Sequence, residues 1–243
     1  MSEQNRLQAV CKALRLSNIL GQLDNETDQT KLSWLLTLLE LEIVGRADSR
    51  KLRFYKQAKF LTKKTLETYE FSNSITMPTE TTKEALTSLA FIDNCENAVF
   101  VGTPGTGKTH LACGIGYKAC QSGYETRFWN VTELVGELQK QWDKGTLEVF
   151  KRSFSKVKLI ILDEMGYVPF TKEGADLLFQ LISDWYETKS VIVTSNLEFS
   201  QWNKVFVDGR LTAALVDRLI HHAHILRFSG ESYRLKNALS NQF

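Results

Sequence analysis

One short stretch constrains the fold more than any other part of the sequence. The segment GTPGTGKT matches the phosphate-binding loop pattern G-x-x-x-x-G-K-[ST] at every fixed position. It follows an apolar run, Ala98–Val101, that predicts a buried strand, and it precedes a segment, Thr109–Gln121, that predicts a helix. Glycines let backbone N–H groups converge on an anion, and the positive end of the helix points to the same place. We therefore predict a nucleoside triphosphate site at Gly102, Thr103, Pro104, Gly105, Thr106, Gly107, Lys108, Thr109 and His110.

Side chains that could bind phosphate and Mg²⁺ and activate water occur in the loop and at the ends of two predicted strands. Lys108 is placed to reach the β- and γ-phosphates, and the Thr109 hydroxyl to bind Mg²⁺. The run LIILDE predicts a central strand that ends in two acids, of which Asp163 would hold Mg²⁺ and Glu164 would orient a water molecule. The run VIVTSN ends in Asn196, which can hydrogen-bond that water or the γ-phosphate. A helix-capping acid and a turn-forming asparagine are the alternative interpretations of these two strand ends.

Composition excludes several classes of protein and leaves nucleic-acid binding open. The net charge is only +2, so DNA binding has to be argued from how the charge is distributed. No apolar run approaches the ~20 residues that span a bilayer, and the first residues lack the apolar core of a secretion signal. The four cysteines form no C-x-x-C pair. We therefore expect a cytoplasmic protein with reduced thiols and no membrane partner.

The order of elements predicts an α/β fold behind a small helical domain. From Ala98 onward strands and helices alternate, which indicates a mostly parallel sheet flanked by helices. Before that point the periodicity is helical, and Leu32–Val44 is so apolar that we expect it at the centre of a bundle. A capping-box pattern, Thr81-x-x-Glu84, predicts a helix to about Ile92. The predicted organisation is a helical domain over 1–71, a linker over 72–82 and a nucleotide-binding domain over 83–243.

Two basic stretches are candidates for contact with DNA phosphates. Between Arg46 and Lys64 the chain has eight basic residues against one acid, with aromatic residues interleaved. A solvated helix face is the alternative interpretation of such a charge run. The second stretch lies in the helical segment between the second and third predicted strands. The candidate residues are Arg50, Lys51 and Arg53 in the first stretch, and Lys140, Lys144, Lys151 and Arg152 in the second.

Five motifs together resemble one known family. GTPGTGKTHLA, LIILDEMGYVP, VIVTSN, LVDRLIHHA and GESYRLKN occur in the order seen in the IstB-type helper ATPases of bacterial insertion sequences. These proteins are similar to the DnaC helicase loaders, and both groups belong to the AAA+ class. The resemblance implies Gly102–Thr109 as Walker A, Asp163 and Glu164 as Walker B, Asn196 as sensor one and Arg218 as an arginine finger. It further implies an ATP-driven oligomer on DNA that recruits and stimulates a transposase. From the two basic stretches we expect a ring or spiral of subunits to bind double-stranded DNA through its phosphates, largely independently of DNA sequence.

Other interpretations remain open from the sequence. A surface ion pair is the alternative for Arg218, which follows Asp217 on a predicted helix. Fifteen residues follow Phe228, so we expect no C-terminal helical lid, and a sensor-two role for Arg234 stays open. A small-molecule kinase shares the phosphate loop, but typically lacks a glutamate directly after the strand-end aspartate. A DNA-bending scaffold that uses ATP only for assembly, and a DnaC-like helicase loader, remain alternatives to transposase recruitment.

Overall fold

The chain divides into two compact units, Met1–Arg53 and Phe54–Phe243, each with its own core. The structure is a computed structural model that describes residues 2–23, 28–72, 74–206 and 208–233. No helix within these ranges is both long enough and apolar enough to cross a membrane.

Most of the described residues of the first unit are helical. It contains α1 (Glu3–Leu14), α2 (Ser17–Leu23) and the first part of α3 (Gln29–Ala58). Helix α1 begins after Ser2, whose hydroxyl accepts a hydrogen bond from the Asn5 N–H and so satisfies one free donor of the first turn. Apolar residues at helical spacing form a small core of Leu7, Cys11, Leu32 and Leu36.

The prediction that Leu32–Val44 is buried on most sides is wrong within this unit. Trp34 is 65% exposed and Leu41 is 63% exposed, while Leu38 and Val44 are also exposed. The reason is physical: two short helices can cover only one side of α3, so the rest of its apolar surface meets no partner among the residues of this unit that the structure describes.

The second unit contains a six-stranded sheet in the order β1-β6-β2-β5-β4-β3. Strands β2 to β6 are parallel to one another, and β1 pairs antiparallel with β6 at one edge. The apolar runs of the sequence therefore predict the parallel strands correctly. The strands are β1 (Ile75–Thr76), β2 (Asn97–Gly102), β3 (Thr126–Asn130), β4 (Leu159–Met165), β5 (Ser190–Ser195) and β6 (Ala223–Phe228).

Helices cover both faces of this sheet, which gives three layers. Strand side chains alternate between the faces, so neighbouring residues such as Ile160 and Ile161 belong to different cores. One core includes residues of α7, α9 and α11, and the other includes residues of α5 and α6. The helices are α4 (Glu80–Ser88), α5 (Ala90–Asp93), α6 (Lys108–Gln121), α7 (Val131–Asp143), α8 (Leu147–Arg152), α9 (Lys172–Trp185), α10 (Asn203–Phe206) and α11 (Gly209–Ile220), with a 3₁₀ turn at Phe199–Gln201.

The segment expected to link two domains contributes to the sheet. Ile75 and Thr76, inside the predicted linker 72–82, pair with Phe228 and Arg227 of β6. The helix predicted from Thr81 to Ile92 is divided into α4 and α5, because Leu89 adopts a left-handed conformation with φ of 72°. The boundary between the two compact units falls earlier, within α3.

Residues 59–72, which we name the covering segment, lie along helix α6. Two glycines of α6 make this close approach possible. A Cβ atom at Gly116 would lie 2.8 Å from Phe60 Cζ, and one at Gly114 would lie 3.0 Å from Leu66 Cδ2. The covering segment is therefore an integral part of the second unit.

Candidate functional site

The phosphate-binding loop occupies the turn between β2 and α6, as the sequence predicts. All three of its glycines, Gly102, Gly105 and Gly107, have positive φ angles that other residues rarely adopt. Gly102 has φ of 148°, and a Cβ atom there would overlap the backbone carbonyl of Phe228. Gly107 has φ of 95° and is the N-cap of α6, so the first N–H groups of the helix open towards the loop. This arrangement is a backbone site for an anion.

Lys108 places its charge inside the loop. Its side chain is mostly buried, and its Nζ donates hydrogen bonds of 2.7 Å to the carbonyl oxygens of both Gly102 and Thr103. A buried ammonium requires such partners. Phosphate oxygens can replace these carbonyls as acceptors without moving the lysine out of the loop.

Asp163 and Thr109 meet at the base of the loop. The Thr109 hydroxyl donates to Asp163 Oδ1 at 2.8 Å, and Asp163 is only 3% exposed. Burial raises the pKa of the Asp163 carboxyl, and hydrogen bonds from Thr194 and Thr109 act in the opposite direction. A carboxylate and a hydroxyl side by side are hard oxygen donors of the kind that Mg²⁺ prefers, so these residues fit that ion.

Glu164 is held at the edge of the same site by two contacts. Asn130, at the end of β3, donates from Nδ2 to Glu164 Oε2 at 2.8 Å. The Glu164 N–H donates to the Thr194 hydroxyl at 3.0 Å. Asn130 also caps α7, because its Oδ1 accepts a hydrogen bond from the Thr132 N–H. The bond from Asn130 therefore fixes the position of the Glu164 carboxylate, and Glu164 remains exposed.

A cavity of about 900 Å³ opens over the loop, and the covering segment forms one of its walls. Tyr69 packs against Gly107, with Tyr69 Cε2 3.3 Å from the position of a Cβ atom there. The Tyr69 ring also makes an edge contact with His110, at 5.2 Å between ring centroids. Burial lowers the pKa of His110, and the nearby ammonium of Lys64 lowers it further, which favours the neutral ring. Thr68, Glu70, Tyr167 and Tyr233 also line this cavity.

The two remaining predicted catalytic residues lie in different places. Asn196 follows β5 and lines the cavity. Arg218 does not line it: its Nη1 donates to the Ser183 hydroxyl at 2.7 Å, and its guanidinium lies 4.5 Å from the centre of the Phe179 ring. Arg234 lies outside the described residues.

The predicted DNA-contact residues differ in how available they are. Lys151 is 19% exposed and forms a 2.6 Å ion pair with Asp184, which raises its pKa. An ammonium held in this way is a poor ligand for DNA phosphates, because the ion pair would have to break first. Lys51 is half-buried beside Asp48, whereas Lys140, Lys144, Arg152, Arg50 and Arg53 are exposed.

Sequence reasoning did not identify four residues of the site. Thr194 and Asn130 are ordinary strand residues in the sequence, and their roles depend on which strands are neighbours. Lys64 and Tyr69 lie well before the loop in the chain. The sequence carries one signal for Thr194, because VIVTSN places this hydroxyl residue at the end of an apolar run.

Comparison with known proteins identifies a family of ATP-binding proteins. The family model described as IstB-like ATP binding protein matches residues 3–241. The ATP-binding protein of insertion sequence IS5376 from Geobacillus stearothermophilus is 40% identical over 203 residues, which cover 84% of this chain and 80% of the relative. The corresponding protein of IS232 from Bacillus thuringiensis subsp. berliner is 34% identical, over 95% of this chain and 93% of the relative.

Two solved structures with a similar fold are those of DnaA and of the DnaC helicase loader. DnaA from Aquifex aeolicus, bound to AMPPCP, superimposes with a TM-score of 0.58 at 22% identity, over 76% of this chain and 57% of that one. The DnaC helicase loader gives a TM-score of 0.53 at 18% identity, over 73% and 99% of the two chains. The chain therefore belongs to the family of IstB-like ATP binding proteins, and it is an ATPase with the AAA+ fold.

Proposed function

We propose that this protein assembles as an oligomer on double-stranded DNA when ATP binds, and that the assembly recruits and stimulates a transposase. We place this activity in the cytoplasm. The single observation that carries the proposal is the group of residues at the carboxyl ends of β4 and β5, where Asp163, Glu164 and Thr194 meet Thr109 of the loop. These residues are suited to act on the phosphates of a nucleotide. An assembly that is released by ATP hydrolysis also needs a residue that activates water, and Glu164 is in position to do so.

Binding of the phosphates falls to the loop and to Lys108. The N–H groups at the start of α6 and the Lys108 ammonium converge on one region, so they can neutralise the β- and γ-phosphates. Lys108 would exchange its two carbonyl acceptors, Gly102 and Thr103, for phosphate oxygens. The cost of this exchange is small because the ammonium is already desolvated.

Thr109 and Asp163 are the residues that would hold Mg²⁺. When bound, this ion withdraws negative charge from the phosphate oxygens. The two side chains already touch, so they need no large rearrangement to share a ligand.

Glu164 is the residue in position to accept a proton from the attacking water. Its carboxylate is exposed to the cavity, whereas that of Asp163 is buried and bonded to two hydroxyls. Asn196, at the end of the adjacent strand, can donate a hydrogen bond to the same water or to the γ-phosphate without adding negative charge.

Arg218 would complete the site of a neighbouring subunit. It does not line the cavity of its own chain, yet it is carried by a regular helix, α11, which can present it to another copy. An arginine supplied in this way stabilises charge on the transferred phosphoryl group. This division of the site between subunits would couple ATP hydrolysis to assembly.

DNA and transposase are proposed as partners on separate grounds. The relatives that match most of this chain are ATP-binding proteins of insertion sequences, and a transposase acts on the DNA of such an element. Exposed Lys140 and Lys144 flank Trp142, which is 62% exposed, at the end of α7. Basic side chains around an exposed aromatic ring suit contact with nucleic acid. A helicase-loading role is the second candidate, because DnaC is among the structural neighbours.

The variant Glu164→Gln tests the proposal. We expect it to bind ATP and DNA, to lose hydrolysis, and to remain on DNA longer than the unaltered protein. ATPase turnover, with and without DNA, and the lifetime of the DNA complex are the two measurements. Lys108→Ala is the control, because it should lose ATP binding and therefore ATP-dependent assembly. Hydrolysis by Glu164→Gln at the unaltered rate would remove Glu164 from its proposed role.

The partner requires a separate experiment. ATP-bound Glu164→Gln on DNA should retain the transposase of its own insertion sequence and should not retain a replicative helicase. Retention of the helicase alone would favour the loader function over transposase recruitment.

A further inference from the structure

The pairing of β4 with β5 is irregular next to the two acids. Leu162 pairs with Val193, and the next pair is Met165 with Ser195. Two residues of β4, Asp163 and Glu164, therefore face a single residue of β5, which is Thr194. An inserted residue of this kind bends a strand locally and redirects a side chain.

Glu164 is the residue that the irregularity displaces. Its φ is 62°, an uncommon and strained conformation for a residue with a side chain. In this conformation its carboxylate reaches Asn130 on β3, while its N–H leaves the regular strand pairing. That N–H is satisfied instead by the Thr194 hydroxyl, at 3.0 Å.

The Thr194 hydroxyl makes a second contact with the other acid. It donates to Asp163 Oδ1 at 2.6 Å, so one oxygen atom accepts from Glu164 and donates to Asp163. A hydroxyl can do both at once, since it has one hydrogen and two lone pairs. Thr194 is only 2% exposed, so water is a poor substitute for these bonds.

We propose that Thr194 is a positioning residue for ATP hydrolysis, which holds the backbone of Glu164 in the conformation that places its carboxylate beside Asn130 at the edge of the nucleotide cavity. The inference rests on the role given to Glu164 above. Thr194 itself does not need to touch the attacking water. It acts through the peptide N–H of Glu164, and its own bond to Asp163 orients the hydroxyl so that a lone pair faces that N–H.

Thr194→Val is the informative change because valine has the shape of threonine and lacks the hydroxyl. We expect kcat for ATP hydrolysis to fall by about 10- to 100-fold, the size of effect produced by a catalytic group displaced by about 1 Å. The KM for ATP should change by less than about twofold, since the loop and Lys108 are untouched. Thr194→Ser keeps the hydroxyl and should restore most of the rate.

Thr126→Val is the matched control. Thr126 is also a buried strand threonine, on β3, and it does not line the cavity. This variant should keep the unaltered kcat. Thermal unfolding of all variants shows whether a loss of rate comes from a loss of folded protein.

A double variant separates positioning from a general structural role. If Thr194 acts through Glu164, then Thr194→Val should slow Glu164→Gln no further, because the group being positioned is already inactive. Multiplicative losses, a KM that rises with the fall in kcat, or an unaltered rate for Thr194→Val would each overturn the inference. If Glu164→Gln alone hydrolyses ATP normally, the role of Glu164 fails first, which distinguishes the two outcomes.

Discussion

The contact between the covering segment and helix α6 can be tested by adding one methyl group. Gly116 lies in α6, where a Cβ atom would come within 2.6 Å of Ile161 Cδ1 and 2.8 Å of Phe60 Cζ. Ile161 belongs to the central strand β4 and is fully buried, so it has little room to move. Phe60 is therefore the side chain that must yield in Gly116→Ala, and the covering segment must move with it.

The size of the effect follows from a comparison with Gly136→Ala. Gly136 is also inside a helix, α7, but a Cβ atom there meets nothing within 4 Å. Both changes gain about 1 kcal/mol of helix propensity. Only Gly116→Ala adds an overpacking cost of about 1–3 kcal/mol. The two variants should therefore differ by about 1–3 kcal/mol in the free energy of unfolding.

Thermal unfolding measures this difference directly. For a chain of this size, about 1–3 kcal/mol corresponds to a difference of about 2–12 °C in Tm, with Gly116→Ala the less stable variant. Gly116→Ala should also raise the KM for ATP, because the covering segment carries Tyr69 and Lys64 in the wall of the cavity. Equal Tm values for the two variants would show that Phe60 does not pack on α6.

Three further predictions concern other parts of the nucleotide-binding unit. Asn130→Ala should lower the free energy of unfolding by about 1 kcal/mol through loss of the cap of α7, whereas Asn130→Ser should retain it, as measured by denaturant unfolding. Arg218→Ala should keep ATP binding and lose most ATP hydrolysis, and mixing it with Lys108→Ala should recover some turnover. Absence of recovery in mixed oligomers that contain both folded variants argues against an arginine acting between subunits. Charge reversal at Lys140 and Lys144 should reduce the log–log salt dependence of DNA binding by about 2, because each phosphate contact contributes about 0.9. An unchanged slope places the DNA contacts elsewhere.

The fold and the loop could be predicted because their signals are local. A phosphate loop is a contiguous pattern, and the apolar runs that form parallel strands are continuous because both faces of the sheet are buried. Asp163 could be placed beside Thr109 because both follow such runs. The irregular pairing that displaces Glu164 could not be predicted, since it depends on the register between β4 and β5.

The incorrect prediction that Leu32–Val44 is buried has a different cause. The sequence of Leu32–Val44 is apolar on several sides, and an isolated helix pattern does not say how many partners are available to cover it. Within the described part of the first unit, one side of α3 is covered, and Trp34 and Leu41 remain exposed. The availability of Lys151 for DNA was equally hard to predict from the sequence. Its ion-pair partner, Asp184, lies on a helix that is distant in sequence.

The covering segment also bears on how a recombinant fragment should be chosen. A fragment that begins at residue 83, the domain start predicted from the sequence, would remove Phe60 and Tyr69 and leave one side of α6 bare, together with Phe128, whose ring lies 6.0 Å from that of Phe60. Newly exposed apolar surface of this kind promotes aggregation. A fragment that begins at Phe54 keeps the whole second unit. Mechanical pulling on the amino end of that fragment would peel the covering segment from α6 before reaching the sheet, so a force applied there would act first on the wall of the nucleotide cavity.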